Sequence, residues 1–220
     1  MVDPRLEKRR LLRVPCLTAR PALFLDRDGV LIEDKHHLSN PNDVVLCPGA
    51  QALVRQAGQA GWPVVIITNQ SGIARGYFDW AAYEQVTDRI LEILGTAAPL
   101  AAIYANGYSI DAPLCSWRKP SPAMLLAAAL DLKLDLNRSL LVGDRLSDLM
   151  AGAGAGLHWL GHVQTGHGQQ ERNKVMEWHQ QNERVSTGTA AIKLKLLRNL
   201  CDFPLELLSP FEQAFENSID

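Results

Sequence analysis

Two aspartates, Asp26 and Asp28, stand one residue apart directly after a short apolar run, and their type and spacing indicate chemistry. The run at residues 22–25 is typical of a buried strand of a parallel sheet. Ligands bind outside the carboxyl ends of such strands, and an extended chain would point both carboxylates to one face. Because like charges repel, the pair predicts a hard-metal site or an acid/base pair. An ordinary turn at Asp28 and Gly29 is the alternative interpretation.

Polar residues also follow the later strands that the apolar pattern predicts. They are Thr68 and Asn69 after residues 63–67, Arg118 and Lys119 in the loop after 100–104, and Asp144 and Asp148 after 139–142. Strand ends of one parallel sheet share an edge, so these groups can converge. The carboxylates of Asp26, Asp28 and Asp144 suit Mg²⁺, which prefers oxygen ligands. A metal ion, a lysine and a hydroxyl around a carboxylate favour phosphoryl transfer, because the cations neutralise the phosphate oxygens.

Helical periodicity separates these strands, which predicts an α/β fold with a doubly wound parallel sheet and a minimal cap or none. The predicted helices cover residues 50–60, 79–94, 122–132 and a short Ala/Gly-rich segment after Asp148, with a fifth strand at 157–160. Beyond residue 161 the pattern weakens. A partly exposed helix is predicted at 167–184, residues 191–200 fit either a strand or a helix, and Ser209 and Pro210 predict a terminal helix to about residue 217.

Length and composition set the domain organisation. With 220 residues and a net charge of −2, the chain suits one α/β domain with appendages. We expect a basic, solvated N-terminal extension at 1–21, a phosphatase core at 22–160 and a C-terminal extension at 161–220 that packs on the core. The net charge argues against a nucleic-acid partner, and no apolar run reaches the length of a membrane span. Four scattered cysteines favour a reducing, cytoplasmic setting, and we expect a monomer.

Taken together, the motifs resemble the haloacid dehalogenase (HAD) superfamily over residues 22–160. They are Phe24-Leu-Asp-Arg-Asp-Gly29, Thr68-Asn-Gln-Ser-Gly72, Arg118-Lys-Pro120 and Gly143-Asp-Arg-Leu-Ser-Asp148. Within the superfamily the chain is similar to the small bisphosphate and histidinol-phosphate phosphatases, and residues 68–76 carry most of that likeness. The resemblance implies a Rossmann-like core and a phosphoric monoester hydrolase.

The resemblance also implies a role for each motif residue. Asp26 would be the nucleophile that forms an aspartyl-phosphate, and Asp28 would act as the general acid and base. Thr68 and Lys119 would hold the phosphoryl group. Asp26, the backbone carbonyl of Asp28, and Asp144 would ligate Mg²⁺. Facing the substrate would be Asn69, Gln70, Arg118, Arg145, Asp34 and His37.

The substrate implied by the resemblance is a small phosphomonoester, a sugar phosphate such as D-glycero-D-manno-heptose 1,7-bisphosphate. Histidinol phosphate is the alternative, favoured by Arg145, since the heptose enzymes usually carry lysine there. A nucleic-acid 3′-phosphatase is a further alternative. Relatives usually hold a structural zinc ion with three cysteines and a histidine. The corresponding positions here are Asn106, Tyr108, Cys115 and Trp117, so no structural zinc is expected, because such a site needs four nitrogen or sulfur ligands.

Overall fold

The protein is built around a seven-stranded sheet, seen in a computed structural model that describes residues 3–185 and 191–210. The strands are β1 (Glu7–Leu11), β2 (Leu23–Leu25), β3 (Val64–Asn69), β4 (Ala102–Asn106), β5 (Leu140–Gly143), β6 (Trp159–His162) and β7 (Lys193–Leu196). Their spatial order is β1-β4-β3-β2-β5-β6-β7, and only the β1–β4 pair is antiparallel. This order confirms the predicted doubly wound α/β fold.

The central strand β2 is held by parallel partners on both sides. Phe24 lies opposite Val65 of β3 and Leu141 of β5, and all three residues of the strand are buried. A strand that is covered on both edges and both faces has a continuous apolar sequence, as residues 22–25 have. The carboxyl end of β2 therefore lies in the middle of the sheet edge, flanked by the ends of β3 and β5.

The helices cover both faces of the sheet. They are α1 (Ala50–Gln59), α2 (Trp80–Leu94), α3 (Ala123–Leu132), α4 (Leu146–Gly154) and α5 (Gly168–Val185). Because side chains alternate along a strand, Leu23 and Leu25 enter the apolar cluster under α1 and α2. Phe24 enters the opposite cluster, which contains apolar residues of α3, α4 and α5.

The helix signals of the sequence agree with the observed boundaries. Asp79 caps α2 by accepting a hydrogen bond from the Ala82 amide at 2.9 Å, as its predicted capping position requires. The helix predicted at 167–184 is α5, and the undecided segment at 191–200 contains strand β7, which pairs in parallel with β6. Residues 30–32 form a turn, with isolated bridges at Ile32 instead of a second strand. The helix predicted from Ser209 to about residue 217 lies largely outside the described residues.

The expectation of a solvated N-terminal arm is wrong for residues 7–11. They form β1, which pairs with β4 so that Arg9 lies opposite Tyr104. Its charged side chains pair with helices on the two faces, Arg10 with Glu84 and Arg9 with Asp131. An edge strand keeps such charges at the surface, so it shows no apolar alternation. The domain boundaries remain a prediction.

The same N-terminal segment also contacts the loop after β4. The Leu6 carbonyl accepts a hydrogen bond from the Gly107 amide at 2.6 Å, and the Glu7 carboxylate accepts one from the Trp117 amide at 2.8 Å. The Tyr108 hydroxyl donates to the Asp3 carbonyl at 3.1 Å. The loop is thus tied to the first strand at several points.

None of the helices in residues 3–185 and 191–210 combines the length and the apolar character that a membrane span requires.

Candidate active site

Three buried carboxylates meet at the carboxyl ends of β2 and β5. Side-chain oxygens of Asp26, Asp144 and Asp148 all lie within 4.8 Å of one another. Asp26 directly follows β2, Asp144 directly follows β5, and Asp148 lies in the first turn of α4. The parallel register of β2 and β5 places these ends side by side. The predicted convergence of strand ends is therefore observed for Asp26 and Asp144.

Lys119 is the cation of this cluster. Its Nζ atom lies 2.9 Å from Asp26 Oδ1 and 2.7 Å from Asp148 Oδ1, and it donates to the Ile67 carbonyl at 2.9 Å. Two ion pairs and one hydrogen bond thus surround the ammonium, and the side chain is 2% exposed. A fully buried ammonium is stable only with such partners.

One ammonium does not neutralise three carboxylates. Burial raises the pKa of Asp26 to about 7, with the charges of Asp148 and Asp28 adding to the rise and Lys119 opposing it. Burial, followed by the charges of Asp148 and Asp26, raises the pKa of Asp144 to about 9. Burial alone would lower the pKa of Lys119, but Asp148 and Asp26 outweigh it and hold that pKa above its ordinary value. The cluster is thus short of positive charge.

The surroundings of Asp144 fit a metal ion. Asp144 Oδ2 accepts a hydrogen bond from the His167 amide at 2.7 Å, whereas its Oδ1 is buried with no hydrogen-bond partner among residues 3–185 and 191–210. Gly29, at φ +82°, lies so close that a Cβ atom there would be 2.6 Å from Asp144 Oδ2. A buried oxygen without a partner beside two further carboxylates is a donor set that suits Mg²⁺.

The Asp28 side chain lies apart from these three carboxylates. Strand β2 ends at Leu25, so the extended geometry that would point Asp26 and Asp28 the same way does not continue. The Arg27 guanidinium donates to both Asp28 oxygens at 3.0 Å, and Gln70 Nε2 donates to Asp28 Oδ2 at 2.7 Å. The two aspartates consequently have different environments at the same cavity.

Thr68 and Asn69 also have structural partners. The Thr68 hydroxyl accepts a hydrogen bond from Gln70 Nε2 at 2.7 Å, and the residue is 1% exposed. Asn69 Nδ2 donates to the Lys119 carbonyl at 3.2 Å, and its Oδ1 accepts from the Lys119 amide at 3.1 Å. Asn69 therefore positions the backbone of Lys119. The phosphate-binding role of Thr68 and the substrate contact of Asn69 stay predictions.

A cavity of about 840 Å³ opens above Asp26 and Asp28. Four arginines line it: Arg27, which is paired with Asp28, and the group of Arg75, Arg118 and Arg145. Burial lowers the pKa of Arg118, and the charges of Arg75 and Arg145 lower it further, because each of these two guanidinium groups adds positive charge near Arg118. The wall of the cavity is thus positive, whereas its floor is rich in carboxylates.

The loop between β2 and α1 supplies another part of the wall. Asp34, His36 and His37 all line the cavity. His37 packs against the Tyr77 ring at a centroid distance of 4.6 Å, and Asp34 Oδ2 lies 2.9 Å from His167 Nε2. The predicted substrate-facing residues Asp34, His37, Gln70, Arg118 and Arg145 therefore share one cavity. Their contact with a substrate stays a prediction.

Four arginine and histidine residues of the cavity were not among the site residues predicted from the sequence. Arg27 lies between the two aspartates in sequence, so alternation along an extended strand predicts that its side chain points to the opposite face. Because β2 ends at Leu25, the Arg27 guanidinium instead donates to the Asp28 carboxylate. Arg75 follows the motif residues Asn69 and Gln70, which were predicted to face the substrate, but Arg75 itself was not. His36 lies between the predicted residues Asp34 and His37. His167 follows β6, which ends at His162 and not at the predicted residue 160. A longer predicted strand would have marked residues 163–167 as a further strand end.

A doubly wound sheet with buried aspartates and a lysine at its carboxyl edge, below a cation-lined cavity, defines a phosphohydrolase. Residues 116–187 match the family model of HAD-hydrolase-like proteins. A D-glycero-β-D-manno-heptose-1,7-bisphosphate 7-phosphatase from Mesorhizobium japonicum is 46% identical over 144 residues, which cover 62% of this chain and 66% of that protein. One from Thermosynechococcus vestitus is 39% identical over 68% of this chain and 81% of that protein. The chain belongs to the HAD-like hydrolases, in the branch of these heptose-bisphosphate phosphatases.

Solved structures agree with this assignment. A protein from Mesorhizobium loti described as a HAD-like phosphatase is 35% identical with a TM-score of 0.74, over 94% of this chain and 93% of that one. The D,D-heptose 1,7-bisphosphate phosphatase from B. bronchiseptica, complexed with magnesium and phosphate, is 31% identical with a TM-score of 0.68, over 82% of this chain and 93% of that one. The resemblance predicted from the motifs is confirmed.

The charge imbalance of the carboxylate cluster predicts a pH-dependent stabilisation by Mg²⁺. The pKa values of Asp26 and Asp144 are raised to about 7 and about 9 from an ordinary value of 3.8. Between pH 3.8 and these raised values, the folded state binds more protons than the unfolded state. The free energy of unfolding of the metal-free protein therefore falls as the pH rises through that range. We expect Mg²⁺ to raise the melting temperature more at pH 8 than at pH 5, measured by thermal unfolding with and without the ion.

The control for this prediction removes one raised carboxyl. Asp144→Asn should flatten the fall in stability of the metal-free protein and reduce the gain from Mg²⁺, whereas Asp43→Asn, at an exposed position, should change neither. An equal gain from Mg²⁺ at both pH values would contradict the expected charge balance.

Proposed function

We propose that this protein is a Mg²⁺-dependent phosphatase that hydrolyses D-glycero-D-manno-heptose 1,7-bisphosphate through an aspartyl-phosphate on Asp26. The observation that carries the proposal is the Asp26 carboxylate, 2.9 Å from the Lys119 ammonium at the floor of an arginine-lined cavity. Relatives at 36–46% identity are named as phosphatases of this sugar, which supports the choice of substrate.

Mg²⁺ would be held by Asp26 and Asp144, together with the backbone carbonyl of Asp28. The partner-free Oδ1 of Asp144 supports this ligand set, as does the magnesium in the related B. bronchiseptica structure. When bound, the ion neutralises phosphate oxygens and the developing charge of the reaction. Asp148, whose oxygen lies 2.7 Å from Lys119, positions the lysine.

In the first step the Asp26 carboxylate attacks phosphorus, and the bond from phosphorus to the sugar oxygen breaks. Asp26 Oδ1 accepts a hydrogen bond from the Arg27 amide at 2.7 Å and forms an ion pair with Lys119 at 2.9 Å, which orients the carboxylate. Its Oδ2 is then the oxygen that attacks. Asp28, held by Arg27 and Gln70, gives a proton to the departing sugar oxygen, so that a neutral hydroxyl leaves.

In the second step a water molecule attacks the same phosphorus atom. Asp28, now without its proton, removes one from that water, and the bond between phosphorus and Asp26 breaks. Inorganic phosphate leaves, and both carboxyls return to their starting states. Lys119 contacts Asp26 throughout, so its charge offsets that of the phosphoryl oxygens in both steps.

The three arginines favour a substrate with a second anionic group. Guanidinium groups bind phosphate well because they offer two parallel donors. Arg118 lies near the positive charges of Arg75 and Arg145, so an anion bound among the three would be stabilised by each of them. A cavity of about 840 Å³ falls within the range of small-ligand sites. One phosphate of a bisphosphate would therefore lie at Asp26, and the other would contact this arginine group.

The setting that we propose for the enzyme is cytoplasmic and monomeric, with neither nucleic acid nor membrane as a partner. The four cysteines are free thiols, which supports a reducing compartment. We also propose that the loop after β4 holds no structural zinc. Its single cysteine, Cys115, is exposed, and contacts with Leu6 and Glu7 hold the loop instead.

A panel of phosphate-release assays tests the substrate. We expect a value of kcat/KM for heptose 1,7-bisphosphate about a hundredfold above that for histidinol phosphate or a 3′-phosphorylated DNA end, which is about 2.7 kcal/mol of transition-state binding. Arg75→Ala should lower the preference for the bisphosphate over a sugar monophosphate by about tenfold or more, since a charged hydrogen bond is lost. Arg55→Ala, an exposed residue on α1, serves as the matched control. A preference for histidinol phosphate would overturn the substrate.

Carboxylate variants test the mechanism. Asp26→Asn should abolish turnover, because the amide is not a nucleophile, and Asp28→Asn should lower kcat by about 100- to 10,000-fold, the usual contribution of a general acid. Asp43→Asn should keep the wild-type rate. Mass spectrometry of enzyme quenched during turnover should find the phosphoryl group on Asp26. An Asp26→Asn enzyme with wild-type turnover would exclude the aspartyl-phosphate.

A cysteine variant tests the absence of structural zinc from the loop after β4. Cys115→Ser should leave the zinc-to-protein ratio and the melting temperature unchanged, as should the equivalent change at Cys201, which is also exposed. Loss of bound zinc from Cys115→Ser alone would show that the loop does hold a metal ion.

A further inference from the structure

A second group of metal-ligating side chains lies on the wall of the cavity. It consists of Asp34, His36 and His167, and one ligand atom from each lies within 4.8 Å of the other two. Asp34 and His36 belong to the loop between β2 and α1, and His167 belongs to the loop between β6 and α5. This histidine group is separate from the carboxylate floor of Asp26, Asp144 and Asp148.

Local contacts hold the donor atoms of the group in place. Asp34 Oδ1 accepts a hydrogen bond from the His36 amide at 2.9 Å, which leaves Oδ2 directed at His167 Nε2, 2.9 Å away. The rings of His36 and His167 have centroids 6.0 Å apart. The His167 amide is itself anchored on Asp144, so the backbone of each loop is held near the point where the three side chains meet.

The donor types select the ion. Two imidazole nitrogens and one carboxylate oxygen form a ligand set typical of catalytic zinc sites, which keep a fourth position for water or substrate. Mg²⁺ prefers oxygen ligands alone and suits the floor instead. All three residues line the cavity, so a ligand in the fourth position would come from the cavity side.

We propose that Asp34, His36 and His167 bind a divalent transition-metal ion of the zinc type, which joins the two loops and offers its open position to an oxygen atom of the bound substrate. The proposal rests on these three side chains and not on the substrate suggested above, so either can fail without the other. It concerns a site distant in sequence from Cys115, and it is independent of the loop after β4.

A plain ion pair between Asp34 and His167 is the competing explanation. Two ligands of one tetrahedral zinc ion, each about 2.0–2.2 Å from it, lie about 3.4 Å apart. The pair, at 2.9 Å, would open by about half an ångström to admit the ion, which small rotations of these partly buried side chains would supply. An ion pair needs no third nitrogen ligand, whereas the metal site needs His36, and this difference decides between them.

Cobalt binding provides the direct measurement. The full-length protein, freed of metal with a chelator, is titrated with Co²⁺ by visible absorption, and with Zn²⁺ by calorimetry, in buffer that contains excess Mg²⁺. We expect a site whose absorption bands indicate nitrogen ligands and persist in Mg²⁺, because a transition metal binds imidazole far better than Mg²⁺ does. Disappearance of those bands in excess Mg²⁺ would place the ion on the carboxylate floor and overturn the proposal.

Variants with a matched control assign the ligands. His36 and His37 both have positive φ, 47° and 58°, so glycine suits each backbone. His36→Gly and His167→Ala should weaken Zn²⁺ and Co²⁺ binding by at least about tenfold, whereas His37→Gly, the same change one residue further, should bind as the wild type does. Unfolding curves confirm that each variant folds. Wild-type affinity in both His36→Gly and His167→Ala would overturn the proposal.

Discussion

The structure depends on the burial of four ionisable side chains, those of Asp26, Asp144, Asp148 and Lys119, at the carboxyl edge of one sheet. Burying a charge without a partner costs several kcal/mol, and Lys119 pairs directly with only Asp26 and Asp148. In addition to the effect of burial, the excess of carboxyl groups over ammonium groups raises the pKa values of Asp26 and Asp144. Two apolar clusters, one on each face of the sheet, enclose the strands that lead to these groups.

This imbalance also organises the cavity. The floor of the cavity has an excess of carboxylates, and its wall has an excess of positive charge from Arg75, Arg118 and Arg145. The wall therefore attracts an anion, which then lies above the carboxylates of the floor. An anion that approaches Asp26 is repelled by these carboxylates, which Lys119 offsets in part and a bound cation would offset further. The arrangement therefore separates the groups that attract an anion from the buried carboxylates that suit a metal ion.

Much of this could be predicted from the sequence, for reasons that particular residues illustrate. The apolar run before Asp26 and the cap at Asp79 are local signals, so they predicted a strand and a helix that the structure contains. Strand-end convergence predicted the meeting of Asp26 with Asp144. The prediction of a solvated arm was wrong for residues 7–11, because an edge strand whose charged side chains form ion pairs shows no apolar alternation. The positions of Arg27 and His167 at the cavity were not predicted. Each depends on the exact residue at which a strand ends, and the sequence pattern gives that residue only to within one or two positions.

The contacts between the first strand and the loop after β4 have a consequence for how the chain can be handled and how it can vary. That loop carries Arg118, which donates to the Tyr108 carbonyl at 3.0 Å, and Tyr108 in turn contacts Asp3. The N-terminal residues thus act as a brace in a place where the resemblance implies that relatives use a metal ion. Asp3 is therefore linked to Arg118, on the wall of the cavity, through the single residue Tyr108, so a change near residue 3 bears on the position of that wall.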